Sequence, residues 1–179
     1  MLTIRPASAA DAPALAAIYA PYVRETTITF EYDPPSAEEF AHRIKVTSEK
    51  YPYFVCCDGD RPVGYAYAHA FRERAAYDWD VEMSIYVERD RRHGGVGSLL
   101  YAALEEALRE MGIVNCYACI TSPNPDSVAF HLAQGYRELA VFPRSGFKFG
   151  RWLDVIWMEK QINPHRAEPA PVTAWSESV

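Results

Sequence analysis

Apolar residues recur along the chain with two periods, and the switches between those periods mark out its elements. The chain opens with "LTIRPA", a short strand. Ser8 and Asp11 then stand at capping-box spacing, ahead of Leu15, Ile18, Tyr19 and Tyr22 on one helical face. Ser36 and Glu39 repeat the device before Phe40 and Ile44. Between these two helices, "TTITFEYDPP" is β-branched and aromatic and closes on two prolines, which predicts an extended segment. "YFVCCD" and "PVGYAYAHAF", joined through Gly59, read as a hairpin. A further strand, "DVEMSIYVE", follows the charged stretch "RERAAYDW".

Leu99, Leu100, Ala103, Leu104, Ala107, Leu108 and Met111 form the apolar face of the clearest helix, which Gly112 ends. A strand over 115–121 follows, then a short helix from Pro125 to about Gln134 with Gly135 behind it. "YRELAVF" and "WLDVIWMEK" close the series as strands. The order β-α-α-β-β-β-α-β-α-β-β predicts a single α/β domain over residues 1–162, a mixed sheet flanked by helices. Residues 163–179 are rich in Pro and Ala and read as a tail.

Composition narrows the function classes. A length of 179 residues suits one domain with a substantial core. The net charge of -6 argues against a general nucleic-acid binder. No basic region leads into an apolar stretch, and no run nears the ~18 apolar residues of a membrane span, so a cytoplasmic protein is expected. Cys116 and Cys119 form a C-x-x-C inside the strand-like "VNCYACIT", where positions three apart face opposite sides of a sheet. They read as buried strand cysteines, as do Cys56 and Cys57, and no metal site is expected.

The chemistry concentrates in "RRHGGVGSLL", just ahead of the long helix. A Rossmann loop would need a third glycine where Leu100 stands, and a Walker loop would need a lysine. What remains is R-x-x-G-x-G on Arg92, Gly95 and Gly97. It is either a glycine-rich turn with solvated arginines or a cradle for a pyrophosphate on backbone N–H groups. Glu82 stands mid-strand, with Ser84 and Tyr86 on its face and Val81, Met83, Ile85 and Val87 on the other. A carboxylate there is costly unless it is paired or used. Asn124 before Pro125 reads as a helix N-cap. Arg72 and Arg74 could grip a carboxylate or phosphinate, as could Arg144 and Lys148 more weakly. Phe30 and Tyr32 either pack in the core or close a pocket.

The glycine loop resembles the acetyl-CoA-binding motif of the GNAT N-acetyltransferases. "AYDWDVEMSIYVERDRRHGGVGSLLY", "SPNPDSVAFHLAQGY" and "GFKFGRWLDVIWME" are similar to successive signatures of the phosphinothricin and methionine sulfoximine branch. With the opening "IRPASAADAPALAAIYAPYV", the resemblance covers residues 1–160 in order. It implies a mixed, mostly antiparallel sheet and acetyl-CoA as co-substrate. The pyrophosphate would lie on Arg92, His93, Gly94, Gly95, Val96, Gly97 and Ser98, and the pantetheine arm against Ile85, Tyr86, Val87, Asn124 and Ser127. Glu82 would be the general base. His131 would be the acid toward the sulfur, where many of the superfamily carry tyrosine. Arg72, Arg74, Phe30 and Lys148 would hold the substrate. The implied reaction is direct acetylation of the α-amine of a glutamate-like amino acid by a homodimer without metal. An arsenic-containing analogue, a polyamine or a protein N-terminus are other acceptors to consider. A non-catalytic CoA-binding sensor is a further reading, which the presence of Glu82 disfavours.

Overall fold

The structure, a computed structural model, describes residues 1–92 and 94–175. Its elements are β1 (Leu2–Pro6), α1 (Ala12–Glu25), α2 (Ala37–Ser48), β2 (Tyr53–Asp58), β3 (Arg61–Ala70), β4 (Asp80–Val87), α3 (Val96–Met111), β5 (Asn115–Ser122), α4 (Pro125–Ala133), β6 (Arg137–Lys148) and β7 (Arg151–Gln161). The sheet has seven strands in the order β1-β2-β3-β4-β5-β7-β6. Every neighbouring pair is antiparallel except β4 and β5. The mixed, mostly antiparallel sheet and the element order agree with expectation. None of the described helices is long and apolar enough to cross a membrane.

Helices cover the two faces unequally. On one face α3 supplies Leu100, Tyr101, Leu104, Leu108 and Met111, which pack with Ala66, Ala68, Met83, Cys116, Ala118 and Met158. Each fully buried leucine of this kind stabilises the fold by ~1.5–3 kcal/mol. Leu99, expected on the same stripe, is 43% exposed. Successive helical residues diverge by about 100°, and Tyr101 rather than Leu99 completes the buried arc. Gly112 closes α3 in the left-handed conformation, φ 89°, as its position predicts. On the other face α1 and α2 pack Leu15, Ile18, Tyr19, Tyr22, Phe40 and Ile44 on Tyr53, Val55, Cys57 and Tyr65. Among the described residues, this second cluster includes none from β5, β6 or β7.

Local chemistry explains where the elements begin. A short 3-10 turn, Ala9–Asp11, leads into α1. There the Asp11 carboxylate accepts from the Ser8 N–H at 2.8 Å and from Arg5 at 2.6 and 2.9 Å. Ser36 Oγ caps α2 by accepting from the Glu39 N–H at 3.1 Å. The Glu39 carboxylate is turned to Arg43 at 2.9 Å, so only half of the expected box forms. "TTITFEYDPP" joins no ladder: Thr26 Oγ1 donates to Tyr22 O, and the N–H groups of Ile28 and Glu31 donate to the hydroxyls of Thr26 and Thr29. These local side-chain bonds compete with strand pairing and fold the segment into bends. Cys119 is exposed while Cys116 is buried, so the C-x-x-C straddles the sheet and one of the expected buried cysteines faces out.

Beyond Gln161 the chain runs along the molecule. Trp79 Nε1 donates to Ala170 O at 2.9 Å, Thr173 N–H donates to Met111 O, and Trp175 N–H donates to Lys50 O. The Trp175 ring lies 5.5 Å from that of Phe54.

Arg5, with the Ser8 groups, holds the Asp11 carboxyl down to about 2 from its ordinary 3.8. A depressed folded-state pKa gives stability that is present above the unfolded value and lost as pH falls through the folded one. Asp11→Asn is therefore expected to destabilise the protein at neutral pH and to flatten the acid limb of stability between about pH 4 and about pH 2. Urea unfolding midpoints across that range check it; parallel wild-type and variant curves would contradict it.

Candidate active site

The site is organised by the one parallel pair. β4 and β5 pair only at Asp80↔Asn115, Val81↔Cys116 and Glu82↔Tyr117. Beyond Glu82, β4 continues with β3 as far as Val87↔Gly64, while β5 continues with β7 as far as Ser122↔Asp154. The β4 edge that faced β5 is thus left without a strand partner, and its backbone groups, apart from Val87 O, can meet a ligand. The starts of α3 and α4 converge on this gap. They enclose a cleft of about 480 Å³ lined by Ile85, Val87, Arg92, Gly95, Gly97, Ser98, Asn124 and Ser127, together with Tyr22, Ile28, Arg91, Asp126, Ala129 and Phe130.

The cleft is built for backbone approach. Gly95 caps α3 in the left-handed region, φ 83°, where side chains are strained. At Gly97 a Cβ would lie 3.0 Å from the Phe130 ring, and at Gly94 3.3 Å from Arg91 O. The first N–H groups of α3 have no partners within the helix and carry the positive end of its dipole. Asn124 Oδ1 accepts from the Ser127 N–H at 3.3 Å and caps α4 behind Pro125, as expected.

Eight of the expected binding residues line this one cleft: Ile85, Val87, Arg92, Gly95, Gly97, Ser98, Asn124 and Ser127. Val96 does not: at 3% exposure its side chain belongs to the core. The Tyr86 side chain faces the opposite side, with Tyr65 and Tyr19. His93 lies outside the described residues. No motif singles out Tyr22, Ile28 or Phe130. Tyr22 reads as a core position of α1, yet its hydroxyl donates to Val87 O at the cleft wall.

His131 departs from expectation. It is 3% exposed and does not line the cleft. Its Nδ1 lies 2.7 Å from Ser127 O, and a carbonyl only accepts, so Nδ1 carries the proton. Nε2 then accepts from the Tyr101 hydroxyl at 2.8 Å. Burial pushes its pKa down. In that tautomer the ring is neutral, and both of its nitrogens are hydrogen-bonded within the core.

Glu82 lies on the other face of the sheet. Its cross-strand partner is His69, and the next pairs on that face are Tyr67↔Ser84 and Tyr65↔Tyr86. Its side chain is 21% exposed, and its Oε1 lies 4.0 Å from His69 Nε2. Burial raises its pKa, against the nearby charges of His69 and Arg72. Arg72 stacks 4.3 Å from the Phe71 ring and 5.9 Å from Trp157, and donates to Phe71 O. Arg74, two residues along the chain, is exposed at the start of the turn Ala75–Tyr77. Next to this face, under α2, lies a cavity of about 310 Å³ lined chiefly by tyrosines, with Phe40, His42, Arg43 and His69.

The remaining expected substrate residues serve the segment after α1. Lys148 is 1% exposed, and its Nζ donates to Val23 O at 2.8 Å and Thr29 O at 2.7 Å. Its charge is spent on those carbonyls, where it ties β6 to the 23–29 backbone instead of meeting an acid. Arg144 is exposed, with φ 49° and its N–H donating to Asp154 Oδ1 at 2.8 Å. Tyr32 donates to Phe147 O. Phe30 fills the space over Gly146, where a Cβ would fall 2.1 Å from its ring.

An unpaired strand edge and a glycine-capped helix start offer backbone groups to an anionic, amide-bearing ligand, and the comparisons with known proteins supply the class. Residues 4–157 match the acetyltransferase (GNAT) domain, and the chain belongs to that family. It is 34% identical to the phosphinothricin N-acetyltransferase of Streptomyces viridochromogenes, over 94% of this chain and 92% of that one. It is 35% identical to an L-methionine sulfoximine/L-methionine sulfone acetyltransferase of Pseudomonas paraeruginosa, over 93% and 98%. The crystal structure of a GNAT phosphinothricin acetyltransferase from Sinorhizobium meliloti in complex with AcCoA superposes with a TM-score of 0.88. It is 35% identical and covers 97% of this chain and 98% of that one. The protein is an acetyl-CoA-dependent acetyltransferase.

Gly146→Ala is expected to evict the Phe30 ring and cost ~1–3 kcal/mol of unfolding free energy, the scale of overpacking. Phe30→Ala in the same chain should recover part of that loss, a coupling readable by urea unfolding of the single and double variants. Additive losses would place the ring elsewhere.

Proposed function

We propose that this acetyltransferase acts on the α-amine of a small anionic amino acid of the phosphinothricin or methionine sulfoximine type. The observation that carries the reading is the composition of the face around Glu82. One carboxylate stands near Arg72 and His69, next to an aromatic cavity, with Arg74 exposed two residues along the chain from Arg72, so the surroundings favour an acidic acceptor. A polyamine acceptor would call for several carboxylates. A sensor that only binds coenzyme would have no use for a carboxylate held partly out of water. The two relatives named above for phosphinothricin and methionine sulfoximine support the same class.

Acetyl-CoA as co-substrate supplies an activated thioester. In this reading the backbone of Gly94, Gly95 and Gly97, with the Arg92 guanidinium and Ser98, holds its pyrophosphate. The open β4 edge at Ile85–Val87 pairs with the pantetheine amides, one N–H polarising the thioester carbonyl. Asn124 and Ser127 bound the same channel. Glu82 takes the proton of the acceptor ammonium, directly or through water; its raised pKa brings it nearer to the amine's and improves it as a base near neutral pH. Arg72 and Arg74 orient the acceptor's carboxylate. A homodimer fits the apolar surface of the β6–β7 hairpin, where Leu139, Val141, Phe142, Phe147, Phe149 and Trp152 are 45–62% exposed.

Two outcomes test this reading. Gly97→Val should raise the acetyl-CoA Kd by about tenfold or more, because the added side chain meets the Phe130 ring and the cleft floor. Calorimetric titration of the folded variant checks it, and unchanged affinity would remove the loop from the coenzyme site. Arg72→Ala and Arg74→Ala, assayed by thiol release, should raise KM for the acidic amino acid by roughly ten- to a hundredfold, the worth of a charge-assisted hydrogen bond. They should scarcely alter KM for the amide of the same compound. Equal losses on acid and amide would overturn the anionic-acceptor reading.

A further inference from the structure

We infer that His69 is the proton outlet of Glu82: the two side chains form a cross-strand pair in which the imidazole takes the proton that the carboxylate has removed from the acceptor amine and delivers it to solvent. The inference rests on the proposal that Glu82 is the base, and adds the step that returns the base to its starting state.

Three observations carry it. First, register places His69 directly opposite Glu82 on antiparallel strands, so their side chains share a face and a neighbourhood. Second, the two differ in access to water. The carboxylate is 21% exposed and, among the described residues, makes no direct side-chain hydrogen bond of the kind found at Asp11, while the imidazole is 41% exposed and borders the aromatic cavity. A proton left on Glu82 would stop the next turnover, and the imidazole is the neighbouring group that can carry it outward. Third, the tautomer points the right way. His69 Nδ1 lies 3.2 Å from Ala70 O, and since a carbonyl only accepts, that nitrogen bears the proton. Nε2, the nitrogen that faces Glu82, therefore holds the lone pair of the neutral ring. The 4.0 Å gap is closed by rotation of an exposed side chain or by one intervening water.

The proton balance is simple. The acceptor ammonium loses H⁺ to the Glu82 carboxylate, giving the neutral amine and a carboxylic acid. The acid passes H⁺ to His69 Nε2, restoring the carboxylate and forming an imidazolium, and the imidazolium releases H⁺ to water. The other groups facing this pair cannot substitute. Arg72 presents a guanidinium, which only donates hydrogen bonds. The Cys119 thiol is pushed up to about 12 and Tyr117 to about 12 by burial. Tyr67 is raised by burial too, and Arg43 beyond it is held by Glu31 and Glu39. His42 lines the cavity from α2 but does not pair with Glu82. His69 acts through Glu82 and is a positioning residue for the base.

The experiment compares His69→Ala, His69→Gln and Glu82→Gln by thiol release with acetyl-CoA and phosphinothricin, from about pH 6 to about pH 9, with acetyl-CoA affinity measured by calorimetry. Both His69 variants should lose kcat on the order of ten- to a hundredfold with coenzyme affinity unchanged. Added imidazole should restore His69→Ala, and with substituted imidazoles the restored rate should follow the pKa of the added base; Glu82→Gln should not respond. The relay is overturned if either His69 variant stays within about twofold of wild type across the range, or if imidazole restores nothing to a His69→Ala that binds coenzyme normally. Should His69→Ala fail to fold, His69→Gln decides by the same criterion: an unchanged kcat and pH profile overturn the relay. A Glu82→Gln that turns over like wild type would overturn the base itself, whereas loss in Glu82→Gln with intact His69 variants overturns only the relay.

Discussion

The parting of β4 from β5 after Glu82 and Tyr117 is the constraint on which the rest of the site depends. A parallel pair needs a crossover, and here the crossover is α3, which leaves the end of β4 through the glycine loop. β5 in turn leads into α4. Both helices therefore begin at the open end of the same gap, with the positive ends of their dipoles directed there. Had the pairing run to the strand ends, the β4 edge would be satisfied and the cleft closed. An open strand edge is suited to amides and a helix start to an anion, which is the chemistry that the proposed reading places in this gap.

The two sides of the sheet divide the labour at that gap. The α3 and α4 side supplies the walls of the cleft, and its fine fit depends on small contacts, such as Phe130 against Gly97. The opposite side supplies the charge. Glu82 stays accessible because α1 and α2 stop short of β5–β7, while the segment after α1 is drawn over the sheet by Lys148, Tyr32 and Phe30. A buried lysine bonded to two carbonyls is a stable arrangement only with both acceptors in place, so the ammonium pins the position of that segment. The residues that look like anion receptors in the chain thus have different surroundings: Arg72 stacks on Phe71 near Glu82, Arg74 is exposed, and Lys148 becomes a clamp.

Much of this architecture is legible before any coordinates. The strands, the hairpin at Gly59, the caps at Asn124 and Gly112 and the glycine loop follow from local rules, because each depends on residues close in sequence. "TTITFEYDPP" misleads for a physical reason: its threonines satisfy the backbone locally, and propensity alone does not register that competition. Leu99 misleads because two adjacent helical residues cannot both sit at the centre of one stripe.

By itself, the sequence determined the order of elements, the glycine loop before α3 and the face on which Glu82 stands, since periodicity and capping chemistry act over a few residues. Only the tertiary structure decided which polar groups are spent and which are free. His131 is consumed by Tyr101 and Ser127, Lys148 by Val23 and Thr29, and Tyr22 reaches Val87, through contacts that span 4 to 125 residues of chain. Cross-strand register brings His69 to Glu82 in the same way. Whether a polar side chain serves the core or the site depends on the partners that packing places within hydrogen-bond reach, and for most of these groups the partner lies far away along the chain.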